Sequence, residues 1–157
     1  MNIHQLDVTL STGDLNMLVK SFVPEDIPVK NLEFSTRLPH LLLKGKFHKG
    51  MTVSFTVRIE PSAQGRQIFL EIVEVDAMMG LGNAVKSMIL ETLVNKADMP
   101  GLSRDGASLV VDVNSVLQSN GLQANVDVSS LLVVEDGIRF TLAGNAALAL
   151  QNRVFGQ

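Results

Sequence analysis

Apolar and polar positions alternate along most of this chain, and that alternation predicts strands. Leu6, Val8 and Leu10 alternate with Asp7 and Thr9. Leu32, Phe34 and Thr36 share one face, with Glu33, Ser35 and Arg37 on the other. Leu41, Leu43, Gly45 and Phe47 alternate with Lys44, Lys46 and His48. The clearest run follows, with Met51, Val53, Phe55, Val57 and Ile59 on one side and Thr52, Ser54, Thr56, Arg58 and Glu60 on the other. One dry face and one wet face mark an antiparallel sheet covered on one side. Pro61 to Gly65 reads as a turn, and Ile68, Leu70 and Ile72 form the next face. The apolar phase then slips by a residue, continuing at Val73 and Val75. Such a slip predicts a β-bulge, which bends a strand and raises its twist. Strands resume at Leu109, Val111 and Val113 and at Leu122, Ala124, Val126 and Val128. A hairpin of Leu131 to Glu135 and Ile138 to Leu142 is expected across Asp136-Gly137.

Helical spacing breaks this pattern in a few places. Ser11 and Asp14 have capping-box spacing, and Leu15, Leu18, Val19 and Phe22 follow at helical intervals until Pro24 and Pro28. A short helical turn is expected from Ser115 to Asn120, closed by Gly121. The tail, Asn145 to Gln157, reads as a last helical turn or a frayed end. The main helix is expected over Leu81 to Ala97. Leu81, Ala84, Val85, Met88 and Ile89 make one apolar face, and Leu90, Leu93, Val94 and Ala97 much of another. The stripe Asn83, Ser87, Glu91 and Asn95 is polar. A helix apolar around most of its circumference is mostly surrounded. The expected fold class is therefore α+β: a strongly curved antiparallel sheet wrapped around one long helix (Leu81–Ala97), with a short N-terminal helix. One domain is expected over residues 1–157, with a core at 1–144 and a tail at 145–157. The grouping of strands and helices argues against alternating βαβ units.

Composition narrows the function classes. Hydrophobic residues make up 46% of the chain and charged residues 18%, which excludes disorder through low hydrophobicity. With seven Phe, no Trp and no Tyr, a pocket here would be walled by aliphatic and Met side chains. A net charge of −3 argues against a nucleic-acid partner. The absence of Cys excludes disulfides, thiolate metal sites and a Cys nucleophile. The start, Met1-Asn-Ile-His-Gln-Leu-Asp7, shows no basic segment and no long apolar run. A soluble, cytoplasmic protein is expected if the chain is full length, and an exported one if a leader has been removed.

Candidate chemistry is sparse. Gly80-Leu81-Gly82-Asn83-Ala84-Val85 resembles the opening of a dinucleotide fingerprint, but Val85 stands at the third glycine position. His4, His40 and His48 lack ligand spacing, and no Ser lies in a Gly-x-Ser-x-Gly elbow. Pairs such as Glu71 with Glu74, or Asp105 with Asp112, read as solvated charges. No enzyme, catalytic residue, metal or cofactor is expected. Lys44, Lys46 and Lys49, with His48, form a basic hairpin suited to an anionic head group or membrane surface, or to keeping a strand edge soluble. Met78 and Met79 place soft, adaptable side chains at the entrance to the long helix.

The order of elements resembles that of the tubular lipid-binding (TULIP-like) proteins, especially small bacterial single-domain members. The resemblance runs from Leu6-Asp-Val-Thr-Leu-Ser-Thr-Gly-Asp-Leu-Asn16 through Leu42-Leu43-Lys44-Gly45-Lys46 and Val53-Ser-Phe-Thr-Val-Arg-Ile59, across the long helix, to Val133-Val-Glu-Asp-Gly-Ile-Arg-Phe-Thr-Leu-Ala-Gly144. It rests on pattern and order, covers about nine-tenths of the chain, and implies no fixed catalytic residues. It implies an apolar groove between helix and concave sheet that holds a lipid or similar hydrophobic ligand. Candidate wall residues are Phe22, Phe55, Val57, Val85, Met88 and Ile89, with Met78, Met79, Leu81 and Leu93 extending the wall. The alternative is an interaction module that homodimerises through the second apolar face of the long helix. A transient membrane-surface contact is the remaining expected partner.

Overall fold

In the computed structural model, which describes residues 2–22, 25–48, 50–96 and 100–148, the alternating segments become antiparallel strands. Among the described residues nine strands form two sheets. The larger is ordered β2 (Val29–Arg37), β3 (His40–His48), β4 (Thr52–Gln64), β5 (Gln67–Ala77), β7 (Ser108–Asp112) and β6 (Leu102–Asp105). The smaller is ordered β1 (Asn2–Ser11), β9 (Gly137–Leu148) and β8 (Leu122–Val134). Three α-helices complete this set: α1 (Thr12–Phe22), α2 (Gly82–Lys96) and α3 (Val113–Ser119).

This architecture corrects the expected fold class. Among the described residues no long helix is wrapped by a sheet. Instead α2 lies on the inner face of the six-stranded sheet, beside β5, β6 and β7. Its Val85, Ile89 and Leu90 are buried in one cluster with Leu43, Val57, Ile59 and Ile72 from the strands. Its polar stripe, Asn83, Ser87 and Glu91, is exposed as expected. Leu90, the described side chain of the second apolar face, is buried beside a hairpin of which the alternation announced only the second strand, at Leu109. In that hairpin Leu102 of β6 and Leu109 of β7 join the same cluster. α2 ends at Lys96, so Ala97 lies outside the described residues.

Several local expectations hold, and their causes are visible. Ser11 and Asp14 form the reciprocal box: the Asp14 N–H donates to Ser11 Oγ at 3.1 Å, and the Ser11 N–H donates to Asp14 Oδ2 at 2.9 Å. The phase slip is a bulge, because Arg58 pairs with Glu74 and Ile59 with Ile72, leaving Val73 unpaired. On β4, Val53, Phe55, Val57 and Ile59 are all buried. Met51 is not; it precedes the strand and is 49% exposed.

Other boundaries move. Pro61 lies within β4 rather than in a turn, paired with Leu70, and the chain reverses at Gly65-Arg66. The pairing of β3 with β4 stops at Leu41 and Ile59, so Pro61 has no β3 partner that needs its missing N–H. Residues 122–134 make one strand instead of two. Val128 pairs with Leu142 and Ser130 with Thr141, so Ser129 is a bulge that switches the apolar phase. The β8–β9 hairpin turns one residue earlier than expected, at Glu135-Asp136. Gly137 belongs to β9 opposite Ser11, where a Cβ would stand 2.0 Å from the Leu10 carbonyl oxygen. That glycine serves close strand approach, not the turn. α3 begins at Val113, because the Asp112 side chain caps it by accepting from the Ser115 N–H at 3.1 Å. Asn145 to Leu148 continue β9 rather than forming a helical turn, and 149–157 lie outside the described residues.

A second cluster of Val113, Val126, Val128 and Leu142 joins α3 to the smaller sheet. The two sheets meet where the Val128 N–H donates to the Gly65 carbonyl at 2.7 Å. At the far edge of the larger sheet, the Asn16 side chain both accepts from the Phe34 N–H and donates to the Phe34 carbonyl. α1 thereby occupies backbone groups that an edge strand would otherwise offer to another chain.

Candidate functional site

Among the described residues, the space between α2 and the strands beneath it, lined by Ile27, Val29, Leu32, Leu43, Ile89 and Thr92, leaves only about 10 Å³. That is room for about one water, not for an acyl chain. Among the wall candidates, Phe55, Val57, Val85 and Ile89 are core residues, and Leu81 and Met88 are half-buried. Met78 and Met79 are 61% and 69% exposed. The side chains of Phe22 and Leu93 lie outside the described residues, as do Lys49 and the side chain of Val94. On the second apolar face of α2, Leu90 is buried in the protein's own core.

Room exists instead on the opposite, wet face of the larger sheet. An open depression of about 410 Å³ lies over β2 to β5, bordered by Asn31, Lys44, Lys46, Ser54, Thr56, Asp76 and Met78, with Gly45 and Phe55 beneath. Register explains the grouping. Lys46 stands opposite Ser54, Lys44 opposite Thr56, and Thr56 opposite Asp76. Side chains directly opposite each other share a face, so these belong to one surface. A bulge between Lys30 and Glu33 bends the β2 border, where Asn31 takes φ 57°. Met78 closes the other border, in the 3-10 turn Met78–Gly80 that ends β5.

Gly45 sets the floor. A Cβ there would meet Phe55 Cζ at 2.7 Å and Leu32 Cδ2 at 2.8 Å. The Phe55 ring, opposite Gly45 across the strands, fills the space that a side chain would take. The depression thus rests on a packed aromatic layer.

Its electrostatics are mixed and locally basic. Lys30 stands directly opposite Lys46, and like charges directly opposite each other are destabilising in a sheet. The Lys30 ammonium is drawn aside to the Glu25 carbonyl. Among the described residues, neither Lys44 nor Lys46 has a carboxylate within 4.0 Å, although Glu33 faces Lys44 in register. The nearby ion pair, Arg58 with Glu74, lies further along the same face.

Of the sequence candidates, the fold brings Lys44, Lys46, Phe55 and Met78 to one place and separates them from the α2 core. Asn31, Ser54, Thr56 and Asp76 carried no sequence signal, since each reads as an ordinary wet-face or turn residue. His40 and His48 sit at opposite ends of β3, with His48 Nδ1 2.9 Å from Thr52 Oγ1. Gly80 to Val85 carries a 3-10 turn and the start of α2 beside an antiparallel sheet, not the parallel crossover of a dinucleotide fold. Among the described residues no three His, Asp or Glu side chains converge as metal ligands, and no helix is long and apolar enough to cross a membrane. No family model, curated protein or solved structure matches this chain.

Proposed function

We propose that the protein is a binding module for an amphipathic lipid or similar molecule, held at the depression on the wet face of the larger sheet. The observation that carries this reading is the pairing of the Lys44 and Lys46 ammoniums with Met78 around one open volume of about 410 Å³. The ammoniums suit a phosphate or carboxylate head. Ser54 and Thr56 offer hydroxyl donors to the same head. Met78, unbranched and polarisable, suits an apolar tail of variable shape. The TULIP-like resemblance implies a groove beside α2 and lends this site no support.

Displacement of a fluorescent fatty acid by dodecyl phosphate, kept below its micellar concentration, tests the reading. Saturable displacement is expected, weakened in a Lys44→Gln, Lys46→Gln double variant by roughly tenfold or more. No saturable binding, or equal binding by that variant, refutes the site.

A further inference from the structure

We propose that the end of the larger sheet bearing Met51, Met78 and Met79 docks on an anionic lipid bilayer, with Lys30, Lys44 and Lys46 meeting the head groups. This rests on the binding reading above and names where its ligand is met.

Position comes first. Met51 directly precedes β4, and β5 ends at Ala77, opposite Phe55. Met78 and Met79 therefore leave β5 alongside the first residues of β4, at the end where Met51 enters. Their exposures are 49% for Met51, 61% for Met78 and 69% for Met79. Single exposed apolar side chains are ordinary on a protein surface, whereas these three are exposed at one end of the β4–β5 pair. Met79 is also held at φ 64°, in the left-handed region that an ordinary side chain seldom adopts.

Charge supplies the occupant. The chain is net −3, yet this end of the sheet places Lys30 and Lys46 face to face, with Lys44 two residues away. An anionic surface relieves that repulsion. The nearest acidic side chains on the same face are Glu33, opposite Lys44, and Asp76, opposite Thr56, with Glu74, opposite Arg58, and the Glu60–Glu71 pair further along. All lie on the Lys44 side of the depression or beyond it, away from the Lys30–Lys46 pair. The apolar groups are three flexible thioethers in a chain without Trp or Tyr, side chains that adapt to an apolar partner of variable shape. The depression is bordered by both Met78 and Lys46, so a docked lipid head would stand at its rim.

The test is co-sedimentation of the full chain with vesicles of phosphatidylcholine alone, or of phosphatidylcholine mixed with phosphatidylglycerol. Binding is expected only to the mixed vesicles and should weaken as salt rises. Met51→Ser with Met79→Asn should reduce vesicle partitioning by about tenfold or more. The same variant should leave dodecyl phosphate displacement unchanged, since neither residue borders the depression. Circular dichroism confirms that it folds. Equal binding to both vesicle types, or vesicle binding unaffected by the methionine changes, overturns the docking proposal. If dodecyl phosphate binds while vesicles do not, docking fails and the binding site stands. If neither binds, both fail.

Discussion

Replacing Gly45 with Ala sets two physical effects of opposite sign against each other. In a strand interior, glycine costs roughly 0.5–1 kcal/mol relative to alanine because it loses more backbone freedom on folding. Gly45 has no positive φ, so on conformational grounds alone the alanine variant should be more stable. Packing argues the reverse. The new Cβ would lie 2.7 Å from Phe55 Cζ, and the ring must retreat by about 0.7 Å to reach ordinary contact at 3.4 Å. Phe55 is 3% exposed, and Leu32 closes in at 2.8 Å from the new methyl, so the ring has no free direction. Overpacking of this kind costs roughly 1–3 kcal/mol. Sterics should win, leaving Gly45→Ala less stable by about 1–2 kcal/mol. The melting temperature should then fall by roughly 2–8 °C for a chain of this size. With no Trp or Tyr to report by fluorescence, urea unfolding is followed by far-ultraviolet circular dichroism. Phe55→Leu in the same chain should recover part of the loss, giving a coupling of about 0.5 kcal/mol or more in a double-mutant cycle. A stabilised Gly45→Ala variant, or additive effects of the two changes, would show that the ring does not fill the space above Gly45.

Three further outcomes test other parts of the molecule. Asn114 is buried, and its Oδ1 accepts the Val126 N–H at 3.0 Å. Asn114→Ala should cost about 1–3 kcal/mol by stranding that donor; a urea midpoint within error of the parent's would mean the N–H finds another partner. Ser11→Ala should cost about 0.5–2 kcal/mol through loss of the capping box, and an unchanged thermal melt would count against it. Asp76→Asn removes a carboxylate from the depression and should tighten dodecyl phosphate binding about two- to fivefold, whereas weaker binding would mean that Asp76 holds the ligand.

Much of the larger sheet was legible because its strands keep one wet and one dry face. The alternation on β3 and β4 survives intact into the fold, and even the bulge at Val73 shows as a slip in phase. The same rule misled where a bulge was mistaken for a break. Ser129 interrupts the pattern within one continuous strand, and Pro61 looked like a terminator although it has no β3 partner to lose. The site was legible only in fragments. In the sequence Lys44 and Lys46 read as a basic hairpin, and Met78 as a soft residue near a helix. Register alone placed them around one depression with Ser54, Thr56 and Asp76, whose residue types mark nothing beyond an exposed strand face.

The largest correction has one cause, and it moves the functional question. A helix apolar on most of its circumference demands cover on more than one side. A wrapping sheet is one way to supply it. Here the cover comes from two directions: the strand residues Leu43, Val57 and Ile59 beneath, and the β6–β7 hairpin with Leu102 and Leu109 alongside. β6 has four residues, only one of them apolar, so alternation could not reveal it. Once that hairpin is in place, Val85, Ile89 and Leu90 are all satisfied within the chain, and the described part of the helix has no apolar debt for a lipid to settle. The unmet demands lie on the other side of the sheet. Lys30 stands opposite Lys46 there, beside the exposed Met78, and Met51 and Met79 are exposed at the same end of the sheet. Places where a sequence breaks its own local rules are where function is to be sought, and in this fold those breaks gather at one end of the larger sheet.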